Sequence, residues 1–211
     1  MFVFLGKRML FLGKGMVILM KKDLIKNEIV TKFSNIITTW EVEDIYVISF
    51  FVYDLDDDPS KPTVTLGYNT EQEVSKNLKY SDDPEIRWNY AFWLQNDEGS
   101  FGVDKASSKL VKEWIKENCD NHKNHSHKDS NTKLGADLSW ITESFVQILI
   151  EVVKEIQNSG ILKDKFQRDI PILIHELEYY DKIAEQNIEA NGAEIVKDFV
   201  DFVNGLYVNY Y

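Results

Sequence analysis

Cysteine is nearly absent from this 211-residue chain: Cys119 stands alone, so no intrachain disulfide can form. With only four prolines and ten glycines, the chain is neither collagen-like nor of low complexity. No Gly-x-Gly-x-x-Gly, no phosphate-binding glycine loop and no Gly-x-Ser-x-Gly elbow occurs. Nucleotide, hydride and acyl-transfer chemistry therefore lack their usual markers, and no cofactor is expected. Basic residues are short as well, 24 Lys and Arg against 35 Asp and Glu, giving a formal net charge of -11. That field repels phosphate backbones and anionic bilayers, which excludes nucleic acid and membrane surfaces as partners and favours a protein with a basic surface. Long apolar runs are missing too, so no segment has membrane-spanning length. A cytoplasmic location is the expectation.

What remains is ordinary globular composition, 44% hydrophobic and 28% charged. A chain of this length can bury most of its apolar surface in one core, and residues 21–211 are expected to form a single domain. Residues 1–20 read as an apolar extension broken by Lys7, Arg8 and Lys14. Within it Phe4-Leu5-Gly6-Lys7 recurs as Phe11-Leu12-Gly13-Lys14, the pattern of a small hairpin turning at Gly13 to Gly15. An alternative is a mis-assigned start, with translation beginning at Met16 or Met20.

The pattern of the rest predicts an α+β fold, a small, mostly antiparallel sheet packed against several helices. Ile45 to Tyr53 is apolar at both parities, as in a central strand covered on both faces. An acidic turn, Asp54 to Pro59, leads into an alternating strand over 62–68, together a β-hairpin. The aromatic run over 89–94 and the apolar run over 170–175 are the other expected strands. Helical periodicity appears over Asp23 to Trp40, Lys105 to Asn118 and Trp140 to Asn158, the last closed by Gly160. Shorter helices are expected over 71–78, 178–190 and 194–203, with Thr70 and Asp104 as amino-terminal caps. Residues 119–134 are polar and His-rich and read as an exposed loop.

Several motifs invite a chemical reading. Cys119, His122, His125 and His127 are metal-ligand types close in sequence, but their spacing matches no established finger, and adventitious binding is favoured over a resident metal. Asp54, Asp56 and Asp58 alternate as in a calcium loop, yet Pro59 and Thr65 stand where that loop needs Gly and a bidentate Glu. His175-Glu176 opens like a zinc-protease motif, but Tyr179 stands where the second His belongs. His175 is thus expected to be a hydrogen-bonded residue at a strand end, with His175, Glu176 and Glu178 the acid-base candidates of an alternative reading. Trp88 and Trp93 in the aromatic run combine core packing with partner contact.

Two segments, Glu85 to Trp93 and Ile170 to Asp181, resemble a bacterial family of uncharacterised α+β proteins. That family is similar to the immunity-type proteins of polymorphic toxin loci, which neutralise a cognate toxin by binding it. The resemblance covers Asp23 to Val203 and carries no catalytic residues. It implies a non-enzymatic protein-binding module, and the two acidic turns supply the surface: Asp56, Asp57 and Asp58 in one, Asp82 and Asp83 in the other. The competing expectation is an enzyme, a metal-dependent hydrolase centred on His175 and Glu176.

Overall fold

A computed structural model describes residues 9–12, 15–18, 20–78, 84–123, 138–180 and 182–208, with side chains for 20–78, 84–119, 138–180 and 182–206. Strands β1 (Met9–Leu12) and β2 (Gly15–Ile18) pair antiparallel as the expected hairpin. Helix α1 (Lys21–Thr39) follows, then β3 (Ile45–Asp54), β4 (Pro62–Thr70), α2 (Glu71–Asn77) and α3 (Glu85–Trp88). The chain continues through β5 (Gly99–Phe101), α4 (Lys105–Lys123), α5 (Ser139–Ser159) and α6 (Ile161–Phe166). It ends with β6 (Ile172–His175), α7 (Ile183–Asn191) and α8 (Lys197–Val208).

The main sheet has the order β5-β4-β3-β6. Strand β3 is antiparallel to β4, from Ile45 opposite Thr70 to Asp54 opposite Pro62, and parallel to β6, from Ile48 opposite Ile172 to Phe51 opposite His175. The architecture is α+β, as the residue pattern predicts. One strand assignment needs correction: residues 89–94 form no strand. Asn89 leaves helix α3 in an extended conformation, and its side chain accepts from the Ala91 amide at 2.9 Å, opening a 3-10 turn at Tyr90–Phe92. The outer strand is instead β5, pairing with β4. Helix α4 also runs on to Lys123, into the segment expected to be a loop; the rest of that segment lies outside the described residues.

Central-strand burial on both faces produces two cores. Ile48, Phe50 and Val52 of β3 face α1 and α5, where Ile29, Phe33, Phe145 and Val153 are fully buried. A bulge between Ile45 and Val47 shifts the register, and Tyr46 and Val47 both join the second core with Trp88, Leu173, Ile183 and Phe199. Among the described residues no helix is long and apolar enough to cross a membrane.

Helix ends follow the local chemistry. Asp104 accepts from the Ala106 and Ser107 amides at 2.9 and 3.1 Å, Thr70 accepts from the Glu73 amide at 3.2 Å, and Gly160 takes φ 78 to end α5. The outer edge of β6 is closed differently. Asn191 accepts from the Ile172 amide and donates to its carbonyl, both at 2.9 Å, and Asn187 does the same for Ile174 at 2.8 and 3.0 Å. Two side-chain amides one helical turn apart thus pair with the backbone of alternate strand residues, standing in for a neighbouring strand.

Gly67 on β4 lies under residues 94–98, which cross the strand. A Cβ there would meet the Asn96 carbonyl oxygen at 2.6 Å and Oδ1 at 2.7 Å, while Tyr68 donates to that same Oδ1 at 2.9 Å. Gly67→Ala must push backbone aside, and we expect a loss of about 1–3 kcal/mol, read as a lowered thermal midpoint. An unchanged midpoint would mean that the crossing segment yields freely.

Candidate functional site

The carboxyl ends of the parallel strands β3 and β6 lie side by side, because Phe51 pairs with His175. In open sheets with parallel strands that end is where ligands gather. Here it gathers three features: the buried His175, a groove holding Asp54 and Glu176, and the acidic turn between β3 and β4.

His175 closes β6 and points into the second face of the sheet, 1% exposed. Tyr90, Trp93 and Phe51 lie around it, with ring centroids at 4.6, 5.4 and 5.7 Å, and Tyr179 at 6.2 Å. Its Nδ1 is 3.0 Å from the Glu176 carbonyl oxygen, which can only accept, so Nδ1 carries the proton. In the neutral ring Nε2 is then an acceptor, and Ser49 Oγ donates to it at 2.8 Å. Burial pushes the imidazole down to about 4, opposed by the Glu176 carbonyl. Both nitrogens are committed inside a ring of aromatics, so His175 is positioned to hold β6 to β3.

Tyr179 shows why the zinc-protease spacing does not apply. Its hydroxyl donates to the Trp88 carbonyl and accepts from the Tyr90 amide at 3.2 Å, tying the aromatic segment to the chain after β6. With Tyr180 donating to Gln186 at 2.6 Å, Tyr179 and Tyr180 pack the chain that leaves β6, and α7 begins only at Ile183.

Glu176, next to His175, faces the other way into a groove of about 870 Å³ that Asp54, Glu143, Tyr180 and Lys182 also line. Thr142 of α5 lies 3.4 Å from Asp54 Oδ1. Burial raises Glu176, and Asp54 adds to the rise; burial likewise raises Asp54, with Asp58 and Asp57 adding to it. Like charges thus crowd this edge of the sheet. Glu178 is exposed.

The turn itself carries Asp56 and Asp57 exposed and both left-handed, at φ 60 and 55, a conformation that Asp tolerates better than most residues. Asp58 holds the turn: its Oδ1 accepts from the Ser60 amide at 3.0 Å and the Ser60 hydroxyl at 2.7 Å. Lys61 reaches Asp56 at 3.0 Å and Asp58 at 3.4 Å. These hydrogen bonds, with Lys61 beside them, hold Asp58 below its usual range.

The other candidates are dispersed. Trp88 and Trp93, 9% and 5% exposed, pack in the second core, as the packing part of their reading expects, and offer little ring surface to a partner; the Trp93 indole donates to the Arg87 carbonyl at 2.9 Å. Asp82 and Asp83 lie outside the described residues, as do the side chains of His122, His125 and His127, while Cys119 is a half-buried free thiol on α4. Among the described residues no three His, Cys, Asp or Glu side chains converge as metal ligands. Sequence reasoning missed Ser49, Tyr179 and the groove position of Asp54. Only Asp54 carried a signal, as an acid ending a strand.

No curated protein and no solved structure matches this chain. Residues 25–191 match one family, and the chain belongs to it: the domain of unknown function DUF4303.

Proposed function

We propose that this chain is a protein-binding module whose working surface is the acidic turn closing the β3–β4 hairpin, and that its partner presents a basic surface. The observation that carries the reading is the turn's fixed geometry, with exposed Asp56 and Asp57 set on a backbone braced by Asp58, Ser60 and Lys61. A braced acidic projection loses little conformational freedom on binding, and its charge speeds association with a basic partner. The packing of His175 speaks against the hydrolase alternative, which needs an imidazole that substrate can reach.

In its finer form the proposal is an immunity role in the bacterial cytoplasm, the acidic surface covering the basic working surface of a toxin. Co-expression with any growth-arresting product of the genes neighbouring this chain's tests it. Wild type should protect growth, and the double variant Asp56→Lys, Asp57→Lys should lose protection and complex formation. Lys suits the left-handed backbone at these positions less well than Asp, so Asp56→Asn, Asp57→Asn is the paired control. Asn tolerates that conformation, so stability should stay within about 1 kcal/mol by urea denaturation, and protection should still fall. Full protection by the double variant would refute the role of the turn.

A further inference from the structure

Beside the acidic turn, the second face of the sheet is only partly covered. Helices α3 and α8 pack over its Tyr46 end, where Trp88 meets Tyr46 at 5.6 Å and Phe199 at 6.0 Å. Toward the turn the covering gives way to a row of three half-buried rings, Tyr53, Phe51 and Tyr90. Phe51 stacks on Tyr53 at 5.5 Å with 21° between planes, and on Tyr90 at 4.9 Å with 18°. Tyr53 and Phe51 share a face because they are two apart on one strand, and Tyr90 is fixed through its amide to Tyr179. One strand residue separates the row from the turn, and among the described residues no ion pair engages Asp57.

We propose that this ring row and Asp57 form one docking surface for an arginine of the protein partner, the guanidinium lying on the Tyr53 face and forking onto the Asp57 carboxylate. The inference rests on the protein-binding reading and names the chemistry of its anchor. Charge complementarity selects a cation, since the turn is acidic and the whole chain carries -11. Ring stacking beside a carboxylate selects arginine over lysine, because a planar guanidinium stacks on an aromatic face while its edge makes paired hydrogen bonds. The chain already uses this arrangement at the opposite end of the same face. There Arg87 lies 4.5 Å over the Tyr46 ring and forks onto Glu71 at 3.1 and 2.6 Å.

The test titrates the full chain with a short blocked peptide alternating glycine and arginine, with its lysine and glutamate counterparts, following the aromatic ring resonances. The arginine peptide should bind saturably, several-fold tighter than the lysine peptide, and shift the rings of Phe51, Tyr53 and Tyr90. Tyr53→Ala should weaken it about ten-fold, and Asp57→Asn several-fold, while Tyr53→Phe stays near wild type. Should Tyr53→Ala disturb the fold, Tyr53→Leu removes the ring face while keeping apolar volume. If Asp57→Asn weakens binding but neither Tyr53 variant does, and lysine binds as well as arginine, the ring row is overturned while the acidic turn stands. No saturable shift with the arginine peptide overturns the anchor, whatever the growth assay shows for the turn.

Discussion

Acidification from neutral pH to about pH 4 is expected to remove about 3 kcal/mol of folding stability through His175 alone. The unfolded imidazole titrates near 6.5, whereas the buried one is held down to about 4. Above 6.5 the ring is neutral in both states, and its contribution is fully present. As the pH falls through 6.5 the unfolded chain takes up a proton that the folded chain refuses, so stability drops until the folded ring also protonates. Glu176 and Asp54, both raised by burial, act in the opposite sense, since the folded carboxyls protonate first as pH falls. They are common to wild type and a His175→Gln variant, so the difference between the two isolates the imidazole. Urea denaturation across this pH range should give a steeper decline for wild type. The variant starts less stable at neutral pH, because Gln lacks the ring that packs among Phe51, Tyr90 and Trp93. Equal slopes would mean that the imidazole is neither sealed nor neutral.

The second large effect is expected at the asparagine pair on α7. Asn187→Ala strips the Ile174 amide of its acceptor, although Gln186 Nε2 still donates to the Ile174 carbonyl at 2.8 Å. Asn191→Ala strips both backbone groups of Ile172 and one acceptor of Gln157. A buried group left without its partner costs about 1–3 kcal/mol, so each variant should lose about 3 kcal/mol, with Asn191→Ala the worse. In a chain of this size each kcal/mol lowers the thermal midpoint by about 2–4 °C, which makes the shift plain in a melt. On the same helix Glu189→Ala removes only a surface pair with Lys154 at 2.8 Å and should stay within about 0.5 kcal/mol. Asparagine variants no worse than Glu189→Ala would show that water satisfies the β6 edge.

Legibility in the sequence tracked how local the determining contacts are. Helices α1 and α5 declared themselves because one face of each is continuously apolar, and β3 because it is apolar on both. Strand β5 has three residues, Gly99, Ser100 and Phe101, with no β-branched side chain, and exists only because β4 offers an edge. The aromatic segment misled for the opposite reason. Its rings are dense because they pack across the sheet, and density of that kind marks a core without specifying a ladder. At the site, His175 read correctly as a strand-end residue with hydrogen-bonded nitrogens, but its cage comes from Ser49, Phe51, Tyr90 and Trp93, far away in the chain. Of the asparagine pair only Asn187 had a visible cue, since Asn suits helix interiors poorly; Asn191, before Gly192, reads as an ordinary helix end.

In the proposed binding mode the acidic turn and the surface beside it meet a basic protein while His175 stays sealed beneath. Hydrogen–deuterium exchange on the full chain, free and bound to a protein partner recovered by in-cell cross-linking, tests this directly. Exchange should slow at residues 51–61 and around Tyr90, with β6 unchanged; protection centred on α1 and α4, with the turn exchanging as in the free chain, would exclude this binding mode.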